Sequence, residues 1–285
     1  MARNQRPINA ERIETYEKLR FYARKFGQGC YNCLIFIGPP GRLKSSILEK
    51  ETNGDAHLIS GHATPFKVFC EAQEHANKLL ILDDADGLYK DTTGQRLLKN
   101  LTNPKLPKTV FWMSDKPESM GLLTRFETTS NVCIIDNAWN NQNEHIRALE
   151  DRSRIFLFDP PPHEVHQEMY DQDWFNDEEI YQFIGDNLCF FKELSVRSYV
   201  KAEEAKRAGE DWREFLLQQA MDGKDLQLIL IEYDERWKDQ SVEQKYKEWI
   251  RRTGGSRATY FIRKKKLLNN RMRGHPLVGR WTLGK

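Results

Sequence analysis

The chain predicts an α/β fold in which a parallel sheet layered with helices is followed by a purely helical region. Three observations carry that expectation. Short apolar runs alternate with helix-spaced segments between residues 34 and 158, as parallel strands joined by crossover helices require. The first run, Leu34-Ile35-Phe36-Ile37, breaks directly into Gly38-Pro39-Pro40-Gly41 and then a helix-forming stretch near Lys44. The last, Ile155-Phe156-Leu157-Phe158, is closed by Asp159 and three consecutive prolines, beyond which residues 163–219 show helical spacing alone.

Taken in order, residues 8–26 place Ile13, Tyr16, Leu19, Tyr22 and Phe26 at three-to-four spacing, which predicts an amphipathic helix leading into the first strand. Ala56-His57-Leu58-Ile59-Ser60 reads as a second strand. Thr64-Pro65 then starts a helix with a capping side chain and an N1 proline. A third strand, Leu79-Leu80-Ile81-Leu82, ends in Asp83-Asp84, and a helix over 93–101 follows. Thr109–Ser114 and Asn131–Asn137 are both strand-like and both end in a polar residue, so Ser114 and Asn137 compete for the tip of a central strand. Asn137 is favoured, with residues 109–130 as an excursion of hairpin form. A helix over 141–153 and the strand at 155–158 complete the layer. Helices over 163–171, 177–188 and 195–208 follow, Gly209 stops the last, and another begins near Asp211. The expected division is a helical linker (1–29), the αβα core (30–162), a small helical lid (163–219) and a basic C-terminal region (220–285).

Composition narrows the class. Charged residues are 30% and hydrophobic ones 39% of 285, no apolar run approaches the ~18 residues of a membrane span, and the start carries no signal-peptide pattern, which predicts a cytoplasmic protein with no membrane partner. Five scattered cysteines argue against a disulfide framework; Cys30-x-x-Cys33 is the one close pair, and buried thiols are expected. Net charge is +2, yet it is unevenly placed: residues 251–285 hold eleven cations and no acid, leaving −9 on the preceding 250 residues.

The Gly38-Pro39-Pro40-Gly41-Arg42-Leu43-Lys44-Ser45-Ser46 stretch carries the chemistry. A strand, a turn with inward-facing backbone amides and a helix N-terminus make a cradle for phosphate oxygens. Lys44 would reach the β- and γ-phosphates of a nucleotide, and the Ser45 hydroxyl would complete a Mg²⁺ shell. The stretch departs from G-x-x-x-x-G-K-[ST] where Leu43 replaces the second glycine, so a side chain stands beside the phosphates or shifts the loop. Downstream, Asp83 and Asp84 fall at the carboxyl end of an apolar strand, which in a parallel sheet is the ligand crevice. Asp83 is expected on the metal and Asp84 on the attacking water.

Together with the strand ending in Asn137, with Ala148-Leu149-Glu150-Asp151-Arg152 and with Leu194-Ser195-Val196-Arg197, these residues resemble the AAA+ ATPases in order and spacing over about residues 30–215. The resemblance implies a five-stranded parallel αβα core, a helical lid, and a ring or spiral homo-oligomer, hexameric in the ring form, with ATP and Mg²⁺ held between subunits. It makes Arg152 similar to the arginine finger donated to a neighbour, with Arg125 and Arg154 as rivals, and Arg197 similar to the lid sensor of nucleotide state. The excursion ahead of Asn137 and the Asp-Asp doublet resemble the branch with a hairpin before its first sensor, which includes superfamily 3 DNA helicases and protein-remodelling ATPases. Leu43, and an Asp at 84 where most of the family has Glu, imply slow hydrolysis or a nucleotide switch.

Arg251, Arg252, Arg257, Arg263, Lys264, Lys265, Lys266, Arg271 and Arg273, interleaved with Tyr260, Phe261 and Trp281, read as a nucleic-acid surface in which cations neutralise phosphates and aromatics stack on bases. His163-Glu164-Val165-His166 lacks the spacing of a zinc helix and is expected to cap or solvate a helix end; Trp174 and Trp212 are expected in the core. The resulting expectation is an ATP-hydrolysing motor or switch acting on DNA, with a protein-remodelling ATPase and a non-hydrolysing ATP-dependent scaffold as the other readings.

Overall fold

The computed structural model describes residues 9–61, 63–84, 86–139, 144–233 and 237–273. It divides into two compact units, Met1–Pro160 and Pro161–Lys285.

In the first unit the strands are β1 (Glu11–Ile13), β2 (Cys33–Ile37), β3 (Ala56–Ser60), β4 (Leu79–Asp83), β5 (Lys108–Phe111), β6 (Arg125–Thr128), β7 (Val132–Asp136) and β8 (Arg154–Phe158). The helices are α1 (Tyr16–Gly27), α2 (Lys44–Glu51), α3 (Pro65–Glu74), α4 (Asp86–Lys90), α5 (Thr92–Leu101) and α6 (Glu144–Arg152). Six strands form one parallel sheet in the order β1-β8-β2-β7-β4-β3, and β5 and β6 pair antiparallel as a separate hairpin. The central strands β2 and β7 are buried along their whole length, as strands covered on both faces must be. Val68, Phe69, Leu97, Leu98 and Leu101 pack helices α3 and α5 into that core.

Six strands replace the five implied by the AAA+ resemblance. The sixth, β1, lies where the helix over 8–26 was expected. Ile13 is buried on β1, parallel to Phe158 of β8, and the helix begins only at Tyr16, where the Thr15 hydroxyl accepts from the Lys18 amide at 3.3 Å. Ile13 stands three residues before Tyr16, so its spacing mimics a helical turn across a strand-to-helix junction. The excursion ahead of Asn137 is the β5–β6 hairpin, and Thr64 caps α3 through its hydroxyl as expected.

The second unit is helical: α7 (Pro162–Tyr170), α8 (Glu178–Asp186), α9 (Val196–Arg207), α10 (Trp212–Ala220), α11 (Gly223–Tyr233), α12 (Val242–Thr253) and α13 (Arg257–Arg273). Asp177 and Asp211 cap α8 and α10 with their carboxylates. Trp249 and Tyr260 are fully buried with Leu228 and Ile231 as a core shared by α11, α12 and α13. The segment expected to be a basic surface therefore owns part of a hydrophobic core. Two further expectations are corrected here. Trp174 is 48% exposed, while Trp212 is buried as expected. His166 is buried rather than solvating a helix end: it stacks on Tyr181 and shares a 2.8 Å hydrogen bond with the Tyr199 hydroxyl, and burial pushes it down to about 4. Among the described residues no helix is long and apolar enough to cross a membrane.

Candidate functional site

Three neighbouring strands bring the predicted residues of the first unit together. Strand β7 lies between β2 and β4, so its tip stands between the tips of the other two. Lys44 follows β2, Asn137 follows β7, and Asp83 and Asp84 end β4. Ser114 lies instead beyond β5 of the hairpin, where its hydroxyl accepts from the Trp112 indole at 3.0 Å, so Asn137 alone occupies a central strand tip.

The loop from Gly38 to Leu43 turns tightly. Gly38 cannot carry a side chain, because a Cβ there would sit 2.0 Å from the Phe158 carbonyl oxygen. Gly41 has φ +69°, and Leu43, at the N-cap of α2, has φ +57°. Leu43 thus adopts the left-handed conformation natural to glycine, at a cost of roughly 1–2 kcal/mol. At the position where the sequence pattern has glycine, a leucine thus holds a backbone conformation that glycine adopts without strain.

Lys44 is 5% exposed, and its Nζ donates to the carbonyls of Gly38 (2.6 Å) and Pro39 (2.8 Å) and to Asn137 Oδ1 (3.4 Å). Burial pulls the ammonium down to about 8, against the attraction of Asp83, Asp84 and Asp136, with buried Arg42 adding repulsion. The Ser45 hydroxyl donates to Asp83, a carboxyl that burial raises above its usual range although Ser45 and Lys44 both oppose the shift. Asn137 Nδ2 donates to Asp84 Oδ1 at 2.8 Å, and the Asp84 amide donates to the Ile135 carbonyl at 3.2 Å, holding that carboxylate against β7. Asp84 is also left-handed, φ +57°, which an aspartate tolerates better than most residues. Pro40 and Ser46 are exposed on the loop and on the first turn of α2.

Asp136 is a positioning residue that sequence reasoning did not single out. It is 5% exposed, and its Oδ1 accepts from the amides of Asn137 (2.7 Å) and Ala138 (3.2 Å), shaping the turn that presents Asn137. Its signal was an acid closing an apolar run, the same signal that marked Asp83.

The chemistry this edge can perform follows from its donors. Amides opening α2 have no carbonyl one turn earlier to meet, a lone ammonium stands beside them, and a hydroxyl and a carboxylate sit adjacent, a set suited to a phosphate chain and one hard cation. Ser45 and Asp83 are the pair able to hold the cation, and their mutual hydrogen bond places their oxygens side by side.

The arginines are elsewhere. Arg152 ends α6, two residues before β8, and donates to the Lys99 carbonyl at 3.1 Å. In the β8 register Arg154 lies opposite Leu34 and Leu157 opposite Ile37, so Arg152 belongs to the amino edge of the sheet, about 13 Å of strand away from the loop edge. Arg154 is committed within the unit: it bonds Glu11 at 2.9 Å and Tyr22 at 3.2 Å and lies over the Tyr22 ring. Arg125 opens β6 on the hairpin, exposed. Arg197 is exposed in the first turn of α9, in the second unit.

The basic segment divides. Arg251 and Arg252 both pair with Glu248 at 2.7 Å, Arg263 bonds Asp222 (2.9 Å) and Asp225 (2.6 Å), and Lys264 bonds Glu232 at 2.6 Å. Lys265 and Lys266 are exposed with no ion pair among the described residues, and Arg257 lies over Tyr246 and Phe261. Arg271 and Arg273 belong to α13, but their side chains, like Trp281, lie outside the described residues. All five cysteines are free; Cys33 and Cys133 are buried, whereas Cys30 is exposed against expectation.

Compared with models of known protein families and with curated proteins, the chain matches none.

Proposed function

We propose that the protein is an oligomeric ATPase of the AAA+ type that binds ATP with Mg²⁺ and acts on DNA. One observation carries the reading: Lys44, Asn137 and Asp84 form a continuous hydrogen-bonded chain across three adjacent strand tips, with Ser45 bonded to Asp83 alongside. Lys44 gives up its loop carbonyls to meet the β- and γ-phosphates. Ser45 and Asp83 hold the cation, which neutralises charge on the phosphates when bound. Asp84 orients and deprotonates the attacking water, and Asn137, already on Asp84, reports the γ-phosphate to β7. Arg152, a sheet's length from its own loop, serves a neighbouring subunit, where its planar guanidinium stabilises the spreading charge. Arg197 couples nucleotide state to the helical unit.

A remodelling ATPase with a protein substrate is the second reading, favoured by the ion pairs that occupy Arg251, Arg252, Arg263 and Lys264. Steady-state ATP hydrolysis with and without single- and double-stranded DNA separates the two. Turnover that DNA raises, and that Lys44→Ala and Arg152→Ala abolish, supports the DNA motor. Turnover indifferent to DNA moves the assignment to protein remodelling, and tight ATP binding without turnover moves it to a scaffold.

A further inference from the structure

Away from the strand tips, one cluster of side chains has donors that converge without a task in phosphate chemistry. His57 on the edge strand β3 faces Glu71 on α3 and His75 at the α3 C-cap, so one strand and the following helix supply all three. One donor atom from each lies within 4.8 Å of the other two. Glu71 and His75 are four residues apart and share a helix face, while His57 meets them from the strand.

The geometry is that of ligands around one ion. Glu71 Oε2 is 2.8 Å from His57 Nε2 and 3.8 Å from His75 Nε2. A tetrahedral ion with ligands at about 2.0–2.1 Å sets its donors about 3.3 Å apart, between these two values. The two imidazole rings lie side by side, with centroids 3.6 Å apart and planes 30° from parallel, which keeps both within reach of the Glu71 carboxylate. Lys67 occupies the other carboxylate oxygen, Oε1, which leaves Oε2 to the imidazoles and fixes the orientation of the group as an outer partner does around a metal. Lys67 and His57 also hold the Glu71 carboxyl below its usual range, so it is an anion at neutral pH. The three side chains are 17–25% exposed, sheltered yet reachable from solvent.

We infer that His57, Glu71 and His75 bind one divalent transition-metal ion of the zinc class. Two imidazoles and a carboxylate suit a borderline ion and not Mg²⁺ or Ca²⁺, which favour all-oxygen shells. Three protein ligands leave a coordination position for water. His57 lies three residues before Ser60, which pairs with Asp83, so the site is about 10 Å of strand from the loop edge and shares no residue with the candidate phosphate site. The ion replaces the His57–Glu71 hydrogen bond and ties the edge strand to α3.

The test is titration of the metal-stripped, full-length protein with Zn²⁺ and Co²⁺, with thermal unfolding as a parallel readout. One Zn²⁺ per chain is expected, together with a rise in unfolding midpoint, since an ion bound only by the folded state stabilises it. Co²⁺ is expected to give the visible absorption of a low-coordinate nitrogen and oxygen site. His57→Asn, Glu71→Gln and His75→Asn should each weaken Zn²⁺ binding at least tenfold while circular dichroism confirms the fold. Absence of binding to the unaltered protein, a cobalt spectrum with thiolate charge transfer, or Zn²⁺ affinity unchanged in a folded His57→Asn/His75→Asn variant would overturn the site. The spectrum of the unaltered protein decides even where a variant fails to fold.

Discussion

Two regions of this chain present cations suited to phosphate, and the structure treats them in opposite ways. At the loop edge of the first unit a single lysine is buried among three carboxylates, yet it hydrogen-bonds only neutral oxygens. In the helical unit several cations are abundant and exposed, but Arg251, Arg252, Arg263 and Lys264 each bond an acid from the same unit. A cation with neutral partners can turn to an incoming anion without stranding a buried charge, whereas one locked to a carboxylate must break a pair first. A count of charges does not distinguish a paired cation from one with neutral partners, and only the fold makes that distinction.

The largest effect is expected at Arg152, the arginine proposed to act on a neighbouring subunit. Arg152→Ala is expected to lower ATP turnover about 1000-fold with nucleotide affinity unchanged. Mixing it with Lys44→Ala should restore part of the rate, because each subunit then supplies what the other lacks. Failure of the mixture to recover any activity would count against donation between subunits. Next in size, Lys44→Ala should weaken ATP binding about 100-fold, the order expected for losing charged hydrogen bonds to phosphate. The same lysine predicts a pH effect. Its free value is about 8, and bound phosphate stabilises the ammonium, so affinity should fall as pH rises above about 8. Calorimetric titrations at successive pH values check this, and Lys44→Met should flatten the profile.

For the basic region the prediction discriminates among cations. Lys265→Glu/Lys266→Glu should reduce the slope of log affinity against log salt for DNA by roughly 1.5, from about 0.7–0.9 per phosphate. Arg263→Ala, which breaks contacts to Asp222 and Asp225, should leave that slope alone and lower stability by about 1 kcal/mol. Equal slopes in all three proteins would mean that the helical unit does not meet DNA.

Much of the first unit was legible because its signals are local. The apolar runs, the Thr64 cap and the Gly-Pro turn each dictate their own conformation, and the strands at 56–60 and 155–158 stand as their composition predicts. The choice of Asn137 over Ser114 needed the sheet order, since both end similar strands and only pairing decides which is central. β1 was hidden because Ile13 and Tyr16 preserve a helical interval across a change of structure. Least legible were properties of pairing at long range: Arg263 with Asp222, and His57 with a glutamate and a histidine on the next helix. Nothing in local spacing announces such partners, because the fold and not the sequence makes them neighbours.

The smallest effect concerns Leu43, where the loop keeps a glycine conformation with a leucine side chain. Replacing it with glycine relieves roughly 1–2 kcal/mol of left-handed strain. Glycine also frees the unfolded chain, at a cost of about 0.5–1 kcal/mol, and forfeits the contacts of a half-buried side chain. These terms nearly cancel, so Leu43→Gly should change stability by less than about 1 kcal/mol. Leu43→Val should cost about 2 kcal/mol, because branching at Cβ makes φ +57° far less accessible. Chemical denaturation of the three proteins measures both differences. If glycine proves the more damaging substitution, side-chain packing and not backbone conformation retains the leucine. If valine does, the loop geometry is what the position is built to hold, and nucleotide affinity should survive in Leu43→Gly and fall in Leu43→Val.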